Sequence, residues 1–285
     1  MNSIWIKLNK LSLQNLSEAR KQLHQAVQLV SIPTRSFLPK VKDDHFASLK
    51  WNKKNNFLES QPLGKDNFKT AISFNNFSIL LLNKDEKIIG CFELNGITYI
   101  NAFKKLKELI KSTGEDVNKL SLSLPYETPS YQTANDIPFN FFEKSLFVEL
   151  GNYFNNAFLL LENVVKNRTE ATEISCWPHH FDIATLIVLN DSKDNYKSLG
   201  VGLSPGDDNY NQPYFYITPW PYPNTENITL PDLPSGGFWH TKGWVGSVLT
   251  SENILKFDST EKQYKAVKEF LNSGIDLILG MINIS

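Results

Sequence analysis

The sequence predicts an α+β protein of two similar halves, each an antiparallel sheet flanked by helices. Three observations carry that prediction. Apolar residues recur at helical spacing in a few long segments, short β-rich runs with tight turn sequences lie between them, and the order helix, strands, helix occurs twice along the 285 residues.

The first helix is predicted over residues 16–30, where Leu16, Ala19, Leu23, Ala26, Val27 and Val30 fall on one face, and Pro33 is expected to end it. Strands follow at 46–51, 68–74, 77–82 and 88–94, with Asn75-Asn76 and Lys84-Asp85-Glu86 as hairpin connections. A second helix over 99–112 carries Phe103, Leu106, Leu109 and Ile110 on one face, and 120–124 reads as a returning strand. Pro125, Pro129 and Pro138 among polar residues mark 125–139 as a connection, so the halves are 1–124 and 140–285. The second half repeats the order with a helix over 141–165, strands at 173–177, 181–189, 199–203, 214–218 and 244–249, and a closing helix from 261 to 271 or beyond. No residue-level repeat links the halves. Between 218 and 234, Pro219-Trp220-Pro221-Tyr222-Pro223 opens a rigid aromatic loop of the length that often carries function.

A chain of this size buries about 75% of its unfolded surface and needs neither metal nor disulfide for stability. The composition, 41% apolar and 21% charged, is that of an ordinary globular protein, and no run approaches the roughly 18 apolar residues of a membrane span. The start, Met1-Asn2-Ser3-Ile4-Trp5-Ile6-Lys7, lacks the features of a secretory signal, so the expected location is the cytoplasm and no membrane partner is expected. Cys91 and Cys176 then read as free, buried thiols. The net charge of −1 conceals an asymmetry: residues 1–124 hold 19 basic and 11 acidic side chains, residues 125–285 hold 10 and 19, giving +8 and −9. Two halves facing each other account for this. A nucleic-acid partner is disfavoured, because only Arg20, Arg35 and Arg168 stand against 26 lysines and the planar fork that reads phosphates and guanines belongs to arginine. The expected partner is a small molecule.

Chemistry is expected in Ile-Ser-Cys-Trp-Pro-His-His-Phe-Asp-Ile-Ala at 174–184. Strand alternation from Phe181 would put His180 and Asp182 on one face and His179 on the other. His240, in Phe238-Trp239-His240-Thr241, supplies a second imidazole. Asp182 and His240 are the candidate catalytic pair and are expected to lie close together, since an isolated polar group in an apolar stretch is penalised. With His180 they also form a candidate divalent-metal set, extended by Asp207 or Asp208, with zinc or iron suited to such ligands. The competing reading is a buried His–Asp hydrogen bond. Gly202-Leu203-Ser204-Pro205-Gly206 matches a serine-hydrolase elbow, with Asp232 and His240 in order behind it, but Pro205 has no N–H for an oxyanion hole and no helix is expected to follow. Trp177, His180, Tyr214, Tyr216, Trp220 and Trp239 are the candidate ligand-binding residues of an aromatic pocket in the second half; filling of core and rim is the alternative.

Cys-Trp-Pro-His-His-Phe-Asp-Ile-Ala at 176–184, Gly-Leu-Ser-Pro-Gly-Asp at 202–207, Pro-Tyr-Phe-Tyr at 213–216 and Phe-Trp-His-Thr at 238–241 together resemble a family of uncharacterised bacterial proteins, domain of unknown function 5996. Ala19-Arg20-x-x-Leu23-His24 and Gln61-Pro62-Leu63-Gly64 extend the resemblance nearly end to end. It implies no activity. It does imply that Asp182 and His240, rather than His179 and His180, are the lasting pair. Two functions follow from these readings: an enzyme, hydrolytic and metal-assisted, acting through Asp182 and His240, or a non-catalytic ligand-binding or protein-interaction module.

Overall fold

The chain folds into two antiparallel sheets, of five and six strands, flanked by helices, as the periodicity predicts. The structure is a computed structural model that describes residues 4–227 and 229–284. It divides into two compact units, an N-terminal one of Gln14–Gly151 with Ser175–Phe181 and a C-terminal one of Met1–Leu13, Asn152–Ile174 and Asp182–Ser285.

In the N-terminal unit, α1 (Leu13–Phe37) precedes a meander of β1 (Lys50–Asn52), β2 (Phe57–Glu59), β3 (Lys69–Ser73), β4 (Ser78–Leu82) and β5 (Ile88–Glu93), each paired antiparallel with the next. Every residue of β4 is buried, whereas β5 is an edge strand with a largely exposed surface, so Cys91 is exposed rather than buried; both cysteines are free. The helix α2 (Tyr99–Lys111), capped by Thr98 Oγ1 accepting the Asn101 N–H, turns Ala102, Leu106 and Ile110 inward. Two expectations are corrected. Pro33 lies inside α1 instead of ending it. Hydroxyls take the carbonyls around it: Gln28 from Ser31, Ile32 from Ser36, and Val30 from Thr70 of β3. Residues 120–124 form no strand; the Ser123 N–H turns to Ser121 Oγ, a local bond that competes with a ladder.

The boundary also differs from the sequence reading, since it falls within α3 (Lys144–Asn167) instead of at 125–139. The proline-bearing segment is tied to the N-terminal unit: Phe139 donates to the Ile97 carbonyl, accepts from Gly96, and packs edge-on to Phe77. In the C-terminal unit, five strands lie in the order β10 (Phe238–His240), β11 (Gly246–Thr250), β9 (Tyr214–Trp220), β8 (Lys197–Ser204), β7 (Asp182–Asn190). β6 (Ser175–Trp177) falls in the N-terminal unit, where Cys176 and Leu49 exchange both backbone hydrogen bonds at 2.8 Å. The register puts Ile183, Ile187, Leu199, Val201, Leu203, Phe215, Ile217 and Leu249 on one face of this sheet, all buried. After the single turn α4 (Ser251–Ile254), α5 (Thr260–Ile284) covers that face, its Gly274 against Ile217. The opposite face carries Asp182, Tyr214 and Tyr216.

The residues before α1 belong to the C-terminal unit. Buried Gln263 on α5 accepts from the Leu8 N–H at 2.9 Å and donates to the Leu8 carbonyl at 3.1 Å, and Asn156 on α3 treats Ile6 the same way at 2.8 and 2.7 Å. Gln263→Ala leaves both Leu8 backbone groups without these partners and should cost about 2–3 kcal/mol; urea unfolding of the full chain measures it, and a change within about 0.5 kcal/mol, the range of a neutral surface substitution, contradicts the tether.

Candidate functional site

Gly202 in β8 sits between Ala184 of β7 and Tyr216 of β9. A Cβ at this position would come within 2.6 Å of the Ile183 carbonyl oxygen, 2.7 Å of Ala184 Cβ and 2.8 Å of Tyr216 Oη. Glycine there leaves the space the Tyr216 ring uses to cross β8 and donate to Asp182 Oδ2 at 2.5 Å. Two residues earlier on the same face, Tyr214 donates to Asp207 Oδ2 at 2.6 Å, while Asp207 Oδ1 accepts the backbone N–H groups of Asn209 and Tyr210. Tyr210 pairs with His240 Nδ1 at 2.8 Å, and His240 Nε2 lies 2.7 Å from the Lys242 carbonyl. A carbonyl only accepts, so Nε2 carries the proton and Tyr210 donates to Nδ1. His240 stacks on Trp244 with centroids 4.3 Å apart.

The result is one row of rings, His240, Tyr210, Tyr214 and Tyr216, with successive centroids 5.6, 4.9 and 6.2 Å apart. Burial, and after it the negative charge of Asp207, raises the Tyr214 hydroxyl far above its ordinary range and raises Tyr210 in the same direction. Both are therefore neutral hydrogen-bond donors at physiological pH.

The sequence-predicted residues divide around this row. Tyr214 and Tyr216 belong to it, as their spacing predicts. Asp182 and His240 sit at its two ends rather than in one site: β7 and β10 are separated by four strand spacings, about 19 Å at about 4.8 Å each, and each residue has its own partner. The apolar stretch that should have driven them together offers each a tyrosine instead. His180 is not on a strand, because 178–181 form a turn in which Phe181 has φ of 57°, and strand alternation begins only at Asp182. The metal set is therefore not assembled. Among the described residues no group of three His, Cys, Asp or Glu side chains is placed to hold an ion, and both His240 nitrogens are already hydrogen-bonded. Trp177 ends β6 and meets His45 and His179; Trp220 is 52% exposed against Tyr222; Trp239 faces away from His240 and donates to the Pro231 carbonyl. Ser204 closes β8 with its Oγ accepting the Gly206 N–H, and loop follows it, so no nucleophile elbow forms.

A second polar cluster, in the N-terminal unit, was not anticipated from sequence. His24 on α1 is buried, stacks on Phe181, and lies 2.9 Å from Tyr131 Oη through Nδ1 and 3.0 Å from the Pro178 carbonyl through Nε2. Again the carbonyl fixes the proton on Nε2, and Tyr131 donates. One turn on, Gln28 donates to the same carbonyl at 2.5 Å and accepts from Tyr126 Oη at 3.1 Å. The signal available in the sequence was the helical repeat Arg20, His24, Gln28: polar residues every fourth position among apolar ones, on a helix whose every face is needed for packing.

The chain matches no protein-family model, no curated protein and no solved structure in the comparisons made.

Gly202→Ala should destabilise the protein by about 1–3 kcal/mol, the range for an overpacked core, where the same exchange at an open strand position would stabilise; chemical denaturation decides, and a neutral result removes the crossing of β8 from the account. The second test uses pH. Burial, chiefly, holds His24 down to about 4 from 6.5, with the Arg20 and His180 charges acting the same way and the backbone bond to Pro178 opposing. Between these values the unfolded chain binds the proton and the native one does not. Stability should thus fall as pH drops from about 6.5 towards 4, by about 3 kcal/mol at about 1.4 kcal/mol per unit. His24→Gln should flatten that part of the urea-unfolding profile; parallel profiles for the two proteins contradict a neutral His24.

Proposed function

We propose that the protein binds a small ring-bearing molecule on the aromatic row of the C-terminal sheet and does so without catalysing a reaction. The observation that carries this reading is the fixing of three tyrosine hydroxyls by Asp182, Asp207 and His240, which holds the partly exposed rings of Tyr210 and Tyr216 rigid on either side of the buried Tyr214. Such rings offer stacking area at little entropic cost, and Trp244 beside His240 and the partly exposed Phe238 against Tyr210 extend it. A planar or cyclic ligand with hydrogen-bonding edges is the chemistry that fits. The enzymatic reading draws support from the Tyr216–Asp182 pair, but an acid–base partnership of Asp182 with His240 would have to span the sheet. Two free cysteines support a reducing, cytoplasmic location, the scarcity of arginine supports a small-molecule rather than a nucleic-acid partner, and no described helix is long and apolar enough to cross a membrane. On its motifs the chain is assigned with the uncharacterised bacterial family it resembles.

Ligand-detected NMR of the intact chain against a library of aromatic and carbohydrate ring compounds tests this. We expect saturable binders whose signal is lost in Trp244→Ala and weakened in Tyr216→Phe. A library without binders, or binders indifferent to both substitutions, rejects the reading. Turnover of ester or amide substrates that disappears in Asp182→Asn would establish the enzyme instead.

A further inference from the structure

We infer that Arg35 is the anchor of an oxyanion site in the N-terminal unit, recognising the carboxylate or phosphate group of a small molecule. Arg35 lies in the last turn of α1. Its Nη1 donates to Tyr126 Oη at 3.0 Å and its guanidinium carbon lies 5.7 Å from the centre of the Tyr126 ring. Its Nη2 is buried and has no hydrogen-bond acceptor. Among the described residues the ion pairs leave Arg35 without a carboxylate.

This is an unusual state for a guanidinium. It stays charged at any physiological pH, and its five donors match two oxygens of a carboxylate or phosphate in one plane. Leaving a buried, charged N–H unmatched costs more than leaving a neutral one so. A chain of polar contacts among the described residues holds the guanidinium in position. Tyr126 is fixed by donating to Gln28, Gln28 by donating to Pro178, and the Tyr126 ring is flanked by His179 at 5.0 Å. Tyr99, which is buried, feels the Arg35 charge as well. Arg35 is thus a cation held in place by Tyr126, with one guanidinium donor unmatched. Carboxylate and phosphate share the oxyanion chemistry that would complete it.

Isothermal titration of the full chain with benzoate in one arm and inorganic phosphate in the other tests the site. Saturable binding in either arm, lost in Arg35→Met and at least about tenfold weaker in Arg35→Lys, which keeps the charge and loses the fork, is the expected result. The two arms tell carboxylate from phosphate. Thermal unfolding without ligand supplies the second readout: an uncompensated cation predicts that Arg35→Met is as stable as the parent or more so. No binding in either arm, binding that survives Arg35→Met, or strong destabilisation by Arg35→Met with no binding to the parent overturns the proposal, the last by making Arg35 a structural residue.

Discussion

Because residue 202 has no side chain, the Tyr216 ring can lie across β8 and reach a carboxylate on the strand beyond. Ladder hydrogen bonds fix β7, β8 and β9 at their usual spacing, so the only way for a side chain of β9 to touch one of β7 is over bare backbone. The rest of the aromatic row follows from that placement. Tyr214 shares the face two residues earlier, its hydroxyl ends at Asp207 in the turn after β8, and Asp207 in turn holds the backbone at Tyr210, which meets His240. The turn is itself shaped by Gly206, whose φ of 115° is open to glycine and whose missing Cβ would press on the Tyr210 and Gln212 backbone.

In both polar clusters most buried donors and acceptors meet a partner, and the chemistry of the partner differs between the two. In the C-terminal sheet the partners are tyrosines, which carry an apolar ring into the packing and bring one polar atom to a carboxylate or imidazole. In the N-terminal unit the partner of His24 and Gln28 is one backbone carbonyl, that of Pro178. Proline before the His-His pair matters here, since the turn at 178–181 exposes this carbonyl to α1 within the same unit. The two imidazoles His24 and His240 arrive at the same tautomer by the same route, a backbone carbonyl on Nε2 and a tyrosine on Nδ1. Neither ring has a nitrogen left for a metal, and His24 is further held neutral by its burial.

The proposed reading, recognition rather than chemistry, rests on this arrangement. A general acid or base needs an open side from which to exchange a proton with a substrate, whereas the tyrosines and histidines here spend their polar atoms on one another. What Tyr210, Tyr216 and His240 leave partly exposed is ring surface. Arg35 is a different case, a fully charged side chain whose Nη1 meets Tyr126 and whose buried Nη2 has no acceptor.

The long helices, most of the strands and the α+β class were legible in the sequence because each depends on periodicity within one segment: the apolar face of α2, the uniformly buried β4 and the strand carrying Tyr214 and Phe215 are local patterns with one solution, whereas the three-residue strands β2 and β10 are too short to show a period. Tyr214 and Tyr216 as neighbours on a face were legible for the same reason. The pairing of Asp182 with Tyr216, the separation of Asp182 from His240, the passage of α1 through Pro33 and the boundary inside α3 were not, because each rests on which distant segment lies alongside. Strand order decides whether two residues in apolar runs meet or stand at opposite ends of a sheet, and sequence alternation says only which face they share. A positive φ at Phe181 ended the alternation on which the His180–Asp182 reading rested. The sequence by itself determined the long helices, the α+β class and which residues of a strand share a face; only the tertiary structure decided which polar groups are buried and who their partners are, since a hydrogen bond is set by a distance of about 3 Å between groups that the chain separates by tens of residues.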